Sequence, residues 1–274
     1  MTRRDPLHAR AVVGPRGSMT VPGMGGASRI LLPVLGVLVS VFLWWLATVV
    51  FSIENFLLPG PQDVLQAYLG QQDYLLEQAW VTLLETIEGF VISIVVGIPI
   101  ALLIVSSQVL ERMIYPLLLA VNAIPKIALA PLLVVWLDFG MTSKVVMVFL
   151  VCFFPIVIST ATGMKSTPAE LVELMRSLNC TRTQEFAKLR LQYAMPQIFT
   201  GLKVAVSLAV IGAVIGEFVG AKAGLGFVIV QSGASVDTAL AFAAIGLLAV
   251  MSIGLFYLLV ALERWLLPWA REER

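Results

Sequence analysis

Histidine is all but missing from this chain: there is one, His8. A Ser-His-Asp hydrolytic site or a His-based zinc site is therefore not expected. The two cysteines, Cys152 in an apolar run and Cys180 in a polar one, make no disulfide framework. No G-x-x-x-x-G-K-[ST] phosphate loop occurs, so the chain is not expected to bind ATP in the usual way. Charge is scarce as well, at 13% of residues, against roughly 25% in soluble domains. The net charge of +1 gives no field that would attract nucleic acid. Apolar residues are what remains: they make up 59% of the chain, and mean hydropathy is +0.95. A water-soluble globule cannot bury that much apolar surface, so part of it must face lipid.

Residues 1–29 are rich in Arg, Gly and Pro and hold no apolar run followed by a small-residue cleavage site. They read as a disordered cytoplasmic tail rather than a signal peptide, with Met19 and Met24 as alternative starts. A membrane span needs about 20 mostly apolar residues. Six such stretches follow, over residues 30–51, 80–105, 113–137, 144–163, 198–219 and 239–262. The third contains Pro116, Pro125 and Pro131 and is expected to be kinked. Residues 30–265 thus read as a transmembrane domain and 266–274 as a second cytoplasmic tail. With the amino terminus inside, the outer segments hold only Lys144 and Lys222 of all the Lys and Arg, and Lys126 falls within a span. That asymmetry places both termini in the cytoplasm. The expected fold is all-α, a polytopic membrane protein of about six transmembrane helices.

One cytoplasmic loop is long, residues 164–196, and it is crowded with charge. Thr167-Pro168-Ala169-Glu170 reads as a capping box with Pro at the first helical position. Leu171, Leu174, Met175 and Leu178 follow at i, i+3, i+4 and i+7, which makes one apolar stripe. Asn179 is suited to end that helix, because Asn tolerates a left-handed conformation. Thr181-Arg182-Thr183-Gln184 offers a second cap, and Phe186, Leu189 and Tyr193 give a second helix its apolar side. Pro196 then marks the start of the fifth span. Two readings of the stripe stand at this point: a helix lying on lipid headgroups, or a docking surface for a cytoplasmic partner.

The run Glu173-Leu174-Met175-Arg176-Ser177-Leu178-Asn179, with Met195-Pro196 and Gly201-Leu202 after it, resembles the "EAA" loop of ABC-importer permeases. Leu174 and Met175 replace the two alanines of that motif, Asn179 stands where glycine is usual, and Gln192 stands where an earlier proline is often found. Phe56 to Leu65, Thr82 to Ile104, Ile124 to Val145 and Ile215 to Ile229 look like the nitrate/sulfonate/taurine permease group, which includes permeases for thiamine precursors and riboflavin. The resemblance implies an ABC importer permease fold in a bacterial inner membrane. It implies a pore subunit that pairs with a second permease copy as a homodimer. A cytoplasmic ABC ATPase dimer would sit beneath, and a periplasmic or lipoprotein solute-binding protein would deliver solute. ATP-Mg would be held by the partner ATPase, with no cofactor on this chain. Glu170, Leu171, Glu173, Leu174, Met175, Leu178 and Asn179 would form the ATPase-coupling loop. The solute would be a nitrate-, sulfonate- or taurine-like anion or a small heterocycle.

Lys126 follows Asn122 by one turn at the proline break, and an ionisable residue at membrane depth usually faces a bundle interior or a water-filled path. Asn122 and Lys126, with Glu217, are the candidate translocation-path residues. Lys126 would attract an anionic solute in one reading and pair with a carboxylate in the other, and Glu217 is expected either to pair structurally or to line a gate. Glu85 and Glu88 read as a solvated helix start. Gly224-Leu225-Gly226 is expected to turn the chain sharply between the last two spans. Gly212, Gly216 and Gly220 make a small-residue stripe that fits a dimer seam or internal packing. Trp44, Trp45, Trp265 and Trp269 read as interface anchors. The rival functions are a self-sufficient secondary transporter or channel, and a membrane-embedded enzyme.

Overall fold

The computed structural model describes residues 26–271, and side chains from Leu31 to Trp269. Most of the expected amino-terminal tail lies outside the described residues, but residues 26–29 already belong to the first helix, and residues 268–271 of the expected carboxyl tail form a 3₁₀ turn. Helix α1 spans Gly26–Val50, α2 Pro61–Gly70, α3 Gln72–Ser106 and α4 Gln108–Ala123. A 3₁₀ turn over Lys126–Leu129 leads into α5, Ala130–Leu137. Then come α6 Met141–Lys165, α7 Ala169–Ser177, α8 Arg182–Phe218, α9 Leu225–Ala234 and α10 Thr238–Leu266.

Five helices are long and apolar enough to cross a membrane, and the pair α4 and α5 passes as a sixth span bent by 79°. The bend falls where Pro125 withholds a backbone N–H and Pro131 restarts the helix. Five of the six expected spans are therefore unbroken helices, and the third, 113–137, falls on the bent pair. Two short helices, α2 and α9, were not expected: ten residues each are too few to cross about 30 Å of hydrocarbon. Both lie at one end of the bundle, called here the far end. The other, carrying α7, is the loop end.

The bundle centre is made by α3, α6 and α8. Phe90 of α3, Val148, Cys152 and Ile156 of α6, and Phe199, Leu202 and Val206 of α8 share one buried cluster. Small residues bring α6 and α8 together: a Cβ at Gly212 would lie 3.0 Å from the Cα of Val148, and one at Gly216 3.1 Å from the Cα of Lys144. At these two positions the glycine stripe is internal packing. Gly220, with φ of +73°, instead turns the chain beneath the Phe139 ring. By contrast, α1 buries none of its apolar length. Its Trp44 stacks on Phe242 of α10 at 5.9 Å, while Trp45, Trp265 and Trp269 are exposed as interface anchors would be.

Candidate functional site

Three places bring polar side chains together: the helical loop, the broken span and a buried knot at the far end. In the loop, α7 carries Glu170 in its first turn, where a negative charge suits the helix dipole. The expected capping box at Thr167 does not form. Pro168 occupies the cap position without a side-chain bond, and the Thr167 hydroxyl donates backward to the carbonyl of Met164 at 3.4 Å. The other end matches expectation: Asn179 has φ of +58°. The Cys180 N–H bonds the carbonyl of Met175 at 3.2 Å and the Asn179 N–H that of Arg176 at 3.0 Å, the paired bonds of a Schellman stop. The Thr181 cap also forms, its hydroxyl accepting from the Gln184 N–H at 3.3 Å while the Gln184 side chain accepts from the Thr181 N–H at 3.0 Å.

The stripe is bare. Leu171, Leu174 and Leu178 are 37%, 55% and 66% exposed, Met175 is half-buried, and Glu173 is exposed. Val172 alone turns inward and is buried. A residue that the sequence reading passed over links α7 to α8. Glu185 is buried, and its carboxylate accepts from Arg190 Nη2 at 2.7 Å and from Arg190 Nε at 2.8 Å. Arg176 of α7 reaches the other oxygen at 3.4 Å. The Arg190 guanidinium also lies 5.2 Å above the Phe186 ring. Residues Glu185–Arg190 form a widened π-helical turn, and α8 then continues without a break through Pro196 to Phe218. The second loop helix and the fifth span are thus one helix, and Pro196 lies inside it rather than at its start.

At the broken span, the Lys126 ammonium donates to the carbonyl of Asn122 at 3.1 Å and to its side-chain oxygen at 2.7 Å. Both residues are half-buried. The lysine therefore caps the free carbonyl end of α4, and no carboxylate pairs with it among the described residues.

Glu217 belongs to the far-end knot. It is 1% exposed, accepting from the Thr82 hydroxyl at 2.7 Å and from the Gly226 N–H at 2.6 Å. Thr82 in turn accepts from the Leu225 N–H at 2.8 Å, and Gln78 accepts from the Gly224 N–H at 2.7 Å. Three successive amides at the start of α9 are held by side chains of α3 and α8. Gly224 has φ of +107°, and a Cβ there would collide with the Glu217 carboxyl. The expected sharp turn is present, but it launches a short helix. Glu85 is also in the knot, fully buried, 3.7 Å from the Lys144 ammonium. That corrects its reading as a solvated helix start; Glu88 is exposed as expected. Lys144 donates further to the carbonyls of Phe139 and Gly140, both at 3.3 Å.

Membrane-length helices around a close-packed centre, one of them broken at a lysine, with a short outer helix offering apolar side chains, define a polytopic membrane protein. The chain belongs to the family described as binding-protein-dependent transport system inner membrane component, whose profile matches residues 93–271. It is 36% identical to the formylaminopyrimidine transport permease protein ThiX of Halalkalibacterium halodurans, over 88% of this chain and 96% of that one. It is 33% identical to the riboflavin transport system permease protein RibX of Chloroflexus aurantiacus, over 90% and 95% of the two chains. To the taurine transport system permease protein TauC of Escherichia coli it is 29% identical, over 87% and 88%. Among solved structures, an inward-facing MetNI methionine ABC transporter matches with a TM-score of 0.59 at 20% identity, covering 70% of this chain and 97% of that one. The chain is thus a multi-pass protein of a bacterial inner membrane and a transport component of the ABC permease type.

Proposed function

We propose that this chain is the pore subunit of an ATP-driven importer, and that α7 is the helix through which a separate ATPase moves it. The observation that carries this reading is the bare stripe of Leu171, Leu174 and Leu178 on a short helix tied through Glu185 to a membrane-crossing helix. An i, i+3, i+7 set of apolar anchors suits a helix seated in a groove of a partner. Glu170, Glu173 and Met175 would border that contact, and Asn179 would end it. In this reading the loop end faces the cytoplasm, as the Lys and Arg distribution favours. ATP-Mg binds the ATPase dimer, a second permease copy completes the pore, and a solute-binding protein supplies the far end. Asn122 and Lys126 line the path, and Glu217 secures the α9 segment at its far mouth. The solute is an anion of the taurine or sulfonate kind or a small heterocycle, the kinds for which the relatives are named.

The test is co-expression with the neighbouring genes, purification in mild detergent and a count of subunits, repeated with Leu174→Asp and Leu178→Asp. Co-elution of an ATPase in equal amount, lost in both variants while the permease still folds, supports the coupling role. Retention of the ATPase by both variants, or its absence from the parent, would make α7 a helix that merely lies on the membrane surface.

A further inference from the structure

Between the loop ends of α3 and α8 lies a cavity of about 550 Å³. Its α3 wall is Pro99, Leu102, Leu103 and Ser106, the last turns before that helix stops. Its α8 wall is Phe186 with Arg182 and Thr183 at the helix start. The interior is apolar: the Ser106 hydroxyl turns away to the carbonyl of Leu103 at 2.7 Å. The rim holds one cation. Arg182 is exposed, and its guanidinium has no hydrogen bond or ion pair among the described residues. The nearby carboxylate that would neutralise it, Glu185, is taken by Arg190 and Arg176.

An apolar hollow with a single unpaired guanidinium at its lip matches one kind of molecule: a fatty chain with an anionic head. A small polar solute would find too few polar partners inside. The place fits as well. The α3 wall is the last stretch of a membrane-length helix, which stops at Ser106 beside the start of α8, and basic pockets between membrane helices hold anionic head groups. We propose that this cavity binds an anionic phospholipid of the surrounding leaflet, its phosphate on Arg182 and the Thr183 hydroxyl and one acyl chain against Leu102, Leu103 and Phe186. Such a lipid bridges the end of α3 to the base of the loop segment. The site depends on the membrane-embedded fold and not on ATPase docking.

The experiment is native mass spectrometry of the full chain in detergent, titrated with phosphatidylglycerol and with phosphatidylethanolamine of the same acyl chains. The parent is expected to retain phosphatidylglycerol preferentially. Arg182→Gln should weaken that retention about tenfold or more, the size of a lost charge-assisted hydrogen bond. Leu103→Trp, which fills the cavity from an exposed position, should weaken both lipids. Lys188→Gln, an exposed cation of the same segment outside the cavity, should change neither. Melting temperatures measured alongside keep loss of binding distinct from loss of fold. The proposal is overturned if the parent holds the two lipids equally, if Arg182→Gln folds and binds as the parent does, or if Lys188→Gln is as damaging as Arg182→Gln.

Discussion

Replacing Glu217 separates a residue that secures the far end from one that only faces a path. Glu217→Ala removes two hydrogen bonds to a buried carboxylate, from Thr82 and Gly226. It leaves the Gly226 amide without a partner. Bonds to a charged group contribute about 1.5–3 kcal/mol each, and breaking a buried set costs about 3–5 kcal/mol. Glu217→Gln is milder, near 1–2 kcal/mol, because a hydroxyl such as Thr82 can accept as well as donate. At about 2–4 °C per kcal/mol for a chain of this size, the alanine variant should melt about 6–20 °C lower and the glutamine variant about 2–8 °C lower. Tryptophan fluorescence of the purified chain follows the transition, at one detergent concentration and one scan rate. Amide exchange supplies the second reading: Gly224, Leu225 and Gly226 should lose protection while the α6–α8 centre keeps it. If Glu217→Ala melts within 2 °C of the parent with those three amides still protected, the knot does not hold α9 and the reasoning fails.

Val236 ends α9 with φ of +62° and is 61% exposed, a conformation that strains a β-branched residue. Val236→Asn should therefore raise the melting temperature by a few degrees, consistent with relief of about 1 kcal/mol; a lower value counts against the strain. Gly212→Val should destabilise by about 1–3 kcal/mol through overpacking at the α6–α8 seam, and thermal melting that matches the parent would show the seam to be loose. Lys126→Met should lower the melting temperature by only a few degrees, for the lost cap on α4, yet lower uptake of an anionic solute at least tenfold in reconstituted vesicles of the whole transporter; normal uptake removes Lys126 from the path.

The spans were legible because a run of about 20 apolar residues has few alternatives. The Asn179 stop and the Thr181 box were legible because both are local, written within four or five residues. Thr167 misled for a local reason too: its hydroxyl serves the free carbonyl at the end of α6 instead of the start of α7. The knot was not legible. Glu85, Lys144 and Glu217 come from three helices, and their meeting depends on how each is rotated, which composition does not encode. Glu185 lay hidden for the opposite reason, since a carboxylate in a charged stretch looks solvated until Arg190 is seen to cover it. The two ten-residue helices at the far end fell below the length at which an apolar run announces a span.

The 37 residues of α8 make a rod about 55 Å long at 1.5 Å per residue. A rod pivoted near its middle works as a seesaw: a tilt of about 10° carries each end roughly 5 Å, in opposite directions. On such a pivot, a push at Arg182 would arrive at Phe218 with its sign reversed. Gly201, Gly212 and Gly216 let α8 press onto the backbone or side chains of α6, so a tilt of α8 would carry α6 with it. Seen mechanically, the paired α6 and α8 have the form of a balance arm.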